Sequence, residues 1–300
     1  MAESREQLEQ SVKKEPDFGA YSLMDGIFTR GQPVVHDGEQ YDTRGYAVLA
    51  DMQRRHFWHR GRHRFLEAEV QRQLDVRART GARVIDLGAG CGGWVDYLQR
   101  RELFPEGQVA LGDSSPVALR AARDLVSGQV SCFQIDLLNL GFGADWDVAF
   151  LLDVVEHIDD DIAALRNARE ALVPGGLLFV TVPALQSFWS WNDEVVKHKR
   201  RYSAAQLQAA AEQAGLVTLD TRYFMFLLSP LLVVSRKLKQ PRLEELDADA
   251  QWALLATTHA VPAAPINGLL SGIFSLETPL SRMMHFPWGT SLLGVFRRPM

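Results

Sequence analysis

The stretch RVIDLGAGCGGW, Arg83 to Trp94, sets four glycines within six residues directly behind a run of Val, Ile and Leu. Every glycine held in one conformation costs backbone entropy. A cluster at the end of an apolar strand therefore belongs where the chain must turn tightly and let something approach closely. The helical pattern WVDYLQRREL follows at once. Strand, glycine turn and helix in that order open a βαβ unit, which restricts the chain to an α/β fold with a mainly parallel sheet.

The rest of the chain from Arg83 onward continues the alternation. The β-rich runs QVALGD, VSCFQID, WDVAFLLD and GLLFVTVP are separated by helical stretches such as SPVALRAARDLV and DIAALRNAREAL. Ser115-Pro116 is a cap followed by a first-turn proline, and Ser203 with Gln206 forms a capping box before a helix that Gly215 stops. Ahead of the first strand, Tyr46 to Leu74 reads as one or two helices broken at Gly61. A strand near 216–223 is followed by about sixty apolar, proline-punctuated residues and then a final strand, TSLLGVF. The predicted organisation is a mobile tail over 1–16, a helical cap over 17–80, a Rossmann-like core over 81–224, a helical insertion over 225–288, and a last core strand over 289–300.

Composition narrows the function classes. A formal net charge of -5 gives no general attraction to nucleic acid. Two cysteines, Cys91 and Cys132, make no disulfide framework and fit a reducing cytoplasm. The polar N-terminal stretch has no apolar core of the signal-peptide kind, and the longest apolar run, Tyr223 to Ser235, is shorter than the roughly 20 residues that cross a bilayer.

The glycine loop also satisfies G-x-G-x-x-G, which alone would admit a dinucleotide and hence a nicotinamide-dependent oxidoreductase. Asp86, two residues before Gly88, argues otherwise: its carboxylate repels a pyrophosphate and attracts an ammonium or sulfonium. Asp113, Asp136 and Asp153 end the next three strands. A carboxylate there accepts from ribose hydroxyls or an adenine amino group. A binding protein without catalysis is the third alternative.

These residues resemble the class I S-adenosylmethionine-dependent methyltransferases. VIDLGAGCGG, GDSS, QIDLLN, LLDVVEHI and LVPGGLLFVTVPA stand in that family's order and spacing from Arg83 to Ala184, and the EHI…LVPGG pair is most similar to the ubiquinone-biosynthesis-like branch. The resemblance implies a seven-stranded sheet with its last strand antiparallel and helices on both faces. It implies S-adenosyl-L-methionine as cofactor, held by Asp86, Gly88, Ala89 and Gly90, by Asp113 with Ser114, by Asp136 with Leu137, and by Asp153. By position Trp58 and Arg62 look like the aromatic and arginine that such enzymes place against the cofactor, the arginine on its carboxylate.

Trp58 and Arg62 lie in a basic stretch, MQRRHFWHRGRHRF. Its His56, His59 and His63 have metal-like helical spacing, but five arginines among them repel a cation, so no metal is assigned. A solvated basic face is the plainer reading. A second cluster, NDEVVKHKRRYS, resembles an H-x-R-R-Y segment that borders the substrate cleft in a subset of these enzymes. It makes His198 the candidate base, Tyr202 an orienting group, and Arg200 with Arg201 the partners of an acidic group; His157 is the second candidate base. The expected reaction is methyl transfer to O, N or C of a small-molecule acceptor, aromatic or alkyl with an acidic group. The insertion is expected to be a lid over the acceptor, with contact to a membrane surface as the rival use of its apolar helices. A homodimer is compatible with all of this.

Overall fold

A computed structural model describes residues 19–31, 34, 45–128, 130–238 and 241–300; the tail expected over 1–16 lies outside them. Its strands are β1 (Tyr21–Met24), β2 (Ile27–Arg30), β3 (Arg83–Leu87), β4 (Gln108–Asp113), β5 (Ser131–Gln134), β6 (Trp146–Leu152), β7 (Leu172–Pro183), β8 (Val217–Phe224) and β9 (Ser291–Arg297). They form one sheet in the order β1-β2-β5-β4-β3-β6-β7-β9-β8. Neighbours from β5 across to β7 run parallel, while β9 is antiparallel to both β7 and β8.

The sheet therefore has nine strands, where seven were expected. The extra pair, β1 and β2, is a hairpin added at the β5 edge, inside the segment predicted to be a helical cap. Its turn is Asp25-Gly26, both at positive φ, the conformation a two-residue hairpin loop needs. Tyr21 fastens it: the ring stacks on Phe142 at 4.8 Å and meets Phe133 edge-on at 5.3 Å.

The helices are α1 (Gly45–Arg55), α2 (Phe57–Gln73), α3 (Val76–Arg79), α4 (Gly93–Arg100), α5 (Pro116–Leu125), α6 (Asp161–Ala171), α7 (Trp191–Val195), α8 (Ala204–Gln213), α9 (Ser229–Leu238), α10 (Ala248–His259) and α11 (Ala264–Met283). One core packs α6 and α8, through Leu165, Ala168, Leu207 and Ala211, on one side of the sheet. A second packs Phe65, Leu66, Trp94 and Leu98 of α2 and α4 with Phe150 and Phe179.

The break between the first two long helices falls at His56, not at Gly61. The His56 ring caps α2 by accepting from the Trp58 backbone N–H, and Gly61 lies within that helix. A Cβ at Gly61 would stand 1.9 Å from Cδ1 of Phe274, so the glycine is there to let α11 pack against α2. Strand order reverses between β3 and β6, and the C-terminal ends of the parallel strands open there, the usual place for a ligand in such a sheet.

Candidate active site

The loop after β3 turns on Gly88 and Gly90, at φ +78° and +53°. A Cβ on Gly88 would also meet Val154 Cγ2 at 2.6 Å, so only glycine fits. The loop is tied to the end of β4: Gly90 N–H donates to Asp113 Oδ2 at 2.9 Å and Ser115 N–H to Oδ1 at 2.9 Å. Tyr46 O–H adds a bond to Oδ1 at 3.3 Å. Asp113 is thus held rigidly beside the glycines.

A cavity of about 750 Å³ opens over this loop. Asp86, Gly88, Ala89 and Gly90 line it from β3; Asp113 and Ser114 from β4; Asp136 and Leu137 from the end of β5. Asp153 and His157 line it from β6, Trp58 and Arg62 from α2, and His198 from the segment after β7. The structure thus brings together every residue expected to hold cofactor and both candidate histidines. Tyr202 is the exception. It is buried away from the cavity, and its hydroxyl donates to Asp161 at 2.6 Å.

Two carboxylates carry the electrostatics. Asp86 is fully enclosed; Oδ1 has no hydrogen-bond partner among the described residues, and burial pushes its pKa to about 7 against the pull of Arg62. Asp153 sits at φ +60°, a left-handed conformation that a non-glycine residue adopts at a cost. It pairs with Arg62, whose guanidinium lies 4.8 Å over the Trp58 ring. Arg62 was expected to stand ready for a ligand carboxylate; in this structure Asp153 already engages it.

The cluster after β7 is organised around Asp193. This buried carboxylate accepts from Arg201 Nε at 2.8 Å and Nη2 at 3.0 Å, and His198 Nδ1 lies 2.8 Å from it. Burial alone would raise the Asp193 pKa, but His198 and Arg201 outweigh it and hold the carboxyl well below the usual range. Arg201 is therefore committed to Asp193, Arg200 pairs with Asp161 at 3.0 Å, and Lys199 with Asp159 at 2.6 Å. Arg200 and Arg201, expected to pair with an acidic group of the substrate, are thus both engaged by carboxylates of the chain. Arg236 of α9 also lines the cavity; it has no acidic partner within ion-pair distance among the described residues, and burial and Arg201 lower its pKa. Nothing in the sequence marked it beyond its place at the end of an apolar run.

Glu156, also missed, is fully buried, and neither carboxylate oxygen has a hydrogen-bond partner among the described residues. Burial and the nearby Asp153 raise its pKa well above the ordinary value. His198 Nε2 is 3.9 Å from its Oε1, and the His157 ring meets the His198 ring edge-on at 4.8 Å. Ligand atoms of Glu156, His157 and His198 lie within 4.8 Å of one another, close enough to hold a divalent cation. His56, His59 and His63 do a different job. His56 caps the helix, and His59 and His63 are buried with pKa values pushed far down by desolvation.

The methyltransferase domain family matches residues 57–221 of this sequence. The chain belongs to that family. It is 31% identical over 120 residues to a ubiquinone biosynthesis O-methyltransferase of Cereibacter sphaeroides, an alignment that covers 38% of this chain and 46% of the relative. It spans about half the length of the curated relatives it matches. Among solved structures, it superposes with a TM-score of 0.54 and 21% identity on a Haloferax volcanii protein solved with the Trm112 methyltransferase activator, covering 85% of this chain and 95% of that one. A SAM-dependent methyltransferase of Thermotoga maritima gives 0.50 and 16% over 85% and 98%. These two likenesses show a shared fold.

S-adenosylmethionine is the cofactor of a methyltransferase of this kind, and the cavity suits it. Asp86 lines the cavity with a carboxylate of which one oxygen has no hydrogen-bond partner among the described residues, and Gly88 and Gly90 line it beside that carboxylate. Asp113 and Asp136 supply carboxylates at two neighbouring strand ends.

Proposed function

We propose that this methyltransferase methylates a hydroxyl of a small acceptor that has an apolar body and an anionic group. The Asp193–His198 pair carries the reading. With Nδ1 protonated and directed at Asp193, Nε2 of His198 is left as the acceptor atom at the cavity wall, the geometry of an oriented general base. The name of the Cereibacter relative, an O-methyltransferase, agrees with oxygen as the receiving atom.

The residues divide the work. Asp86 neutralises positive charge deep in the cavity, and Asp113 and Asp136 offer carboxylates to hydroxyl and amino groups. The Arg62–Asp153 pair closes one wall. Bound S-adenosylmethionine supplies a methyl carbon on a sulfonium, a leaving group already activated by its charge. What remains for the chain is to position the acceptor and take its proton on His198. Arg236 receives the acceptor's anionic group, while Trp252 and Leu255 of α10, with Leu232 of α9, form the apolar side of the cavity. Within the insertion 225–288, α10 serves as the lid in this reading, with Trp252 and Leu255 at the cavity. The partner is a small molecule, not nucleic acid, and the place of action is the cytoplasm.

The test is transfer of label from methyl-labelled cofactor to a panel of phenols with and without a carboxylate, with product identification. His198→Gln should lower kcat by about 10²–10⁴-fold, the usual contribution of a general base, and leave cofactor affinity unchanged. Cofactor binding with no methyl transfer to any acceptor would reduce the protein to a binding module.

A further inference from the structure

Helix α11 is built inside out. The side it turns to the protein carries Asn267, Ser271, Glu277 and Ser281 around the single aromatic Phe274. These polar groups are matched. Asn267 Oδ1 accepts from Phe57 N–H at 2.8 Å and its Nδ2 donates to Arg55 O at 2.8 Å; Arg64 donates to Ser271. Glu277 accepts from the backbone N–H groups of Phe226 and Leu227 at 3.1 and 2.8 Å.

The outer side carries Ile266, Leu269, Leu276, Leu280 and Met283, with Gly268, Gly272 and Pro279 between them. At 3.6 residues per turn they occupy a continuous arc of roughly 160° without a charged residue. Leu269 is 66% exposed, Leu276 59% and Met283 85%. Glu277 ties α11 to the residues that lead into α9, and α9 adds Leu231 and Val234, both more than half exposed. Trp288 extends it, its indole N–H donating to Ser229 at 3.2 Å. An uncharged patch of this extent on a soluble chain marks an interaction surface.

The other flank of α11 borders a groove of about 520 Å³, where Arg282 faces Arg54, Arg60, Arg64, Arg100 and Arg101. Arg54 and Arg100 share Asp96, and Arg101 is held by Glu67. Arg60, Arg64 and Arg282 have no acidic partner among the described residues. Six guanidinium groups thus meet two carboxylates, beside an apolar face.

We propose that this surface docks the protein on an anionic lipid bilayer, with α9 and α11 lying in the plane of the interface and headgroup phosphates in the arginine groove. Charge decides the occupant. A bilayer offers hydrocarbon and phosphate side by side, in the order in which the apolar arc and the groove lie. A second copy would bring the same patch to a two-fold interface, and that patch has no acidic surplus to meet the arginines. Docking is at the interface, since no helix among the described residues is long and apolar enough to cross a membrane.

Flotation with phosphatidylcholine vesicles, and with vesicles containing about one-third phosphatidylglycerol, tests the proposal. The protein should float with the anionic vesicles, less with the neutral ones, and the difference should shrink as salt is raised. Leu269→Glu with Leu276→Glu should abolish flotation on both. Arg60→Ser and Arg282→Ser should each lower partition onto anionic vesicles by about fivefold, the worth of one basic residue at such a surface, and leave the neutral value unchanged. Cofactor binding by calorimetry reports folding of each variant; if the double variant fails to fold, Met283→Glu replaces it. Absence of flotation, or flotation that the variants leave intact, overturns the proposal. So does a dimer in sedimentation that Leu269→Glu with Leu276→Glu separates while wild type ignores vesicles, which gives the face to a second copy. Pyrophosphate binding in the groove without flotation assigns it to a free anion and overturns the proposal too.

Discussion

The proposed place of Asp86 against the cofactor's positive charge predicts that cofactor binding depends on pH. Its pKa is raised from 3.8 to about 7 by burial, so ionising it in the empty protein near pH 8 costs about 4 kcal/mol relative to a solvated aspartate, at 1.36 kcal/mol per unit. Two consequences follow with opposite readouts. A group whose folded pKa lies above its unfolded value stabilises fully below the unfolded value and loses that contribution as pH rises through the folded one. The empty protein should therefore lose up to about 4 kcal/mol of stability from this residue between pH 4 and 7. A cationic ligand needs the carboxylate, so its affinity should fall about tenfold per unit as pH drops below 7 and level off above. Calorimetry with S-adenosylmethionine from pH 5.5 to 8.5 measures the second effect, and urea denaturation of the empty protein the first. Asp86→Asn should flatten both profiles and bind the cofactor weakly at every pH. A wild-type affinity that stays constant from pH 5.5 to 8.5 would refute the assignment of Asp86 to the cofactor's positive charge.

Other expectations concern single contacts. Arg236→Met should raise KM for acidic acceptors by about 10- to 100-fold, the worth of a charge-assisted hydrogen bond, and leave uncharged analogues unaffected in the same methyl-transfer assay. Tyr202→Phe should leave kcat within about twofold of wild type, because its hydroxyl is bound to Asp161 outside the cavity, and should cost about 1–2 kcal/mol in urea denaturation. Gly61→Ala drives a methyl group into Phe274 and should destabilise by about 1–3 kcal/mol, read as a lower urea midpoint at constant m.

The sequence by itself determined the parallel core and the floor of the site. Alternating apolar runs and capped helices are local signals, and the glycines with Asp86, Asp113, Asp136 and Asp153 sit at strand ends that the parallel sheet must bring to one edge. The hairpin of β1 and β2 was legible in Asp25-Gly26 but short, and its aromatic anchors, Phe133 and Phe142, lie more than a hundred residues away. Gly61 looked like a helix break because glycine weakens a helix; only the approach of Phe274, more than two hundred residues later, shows it to be a packing position. The same holds for charge. Whether an arginine is paired depends on the carboxylates that the fold sets beside it: Arg201 is matched to Asp193, while Arg236 lines the cavity with no carboxylate at ion-pair distance among the described residues. The tertiary structure alone decided which face of α11 is inward. Its polar residues found hydrogen-bond partners on α2 and in the turn between β8 and α9, contacts between distant parts of the chain that no periodicity within the helix can specify.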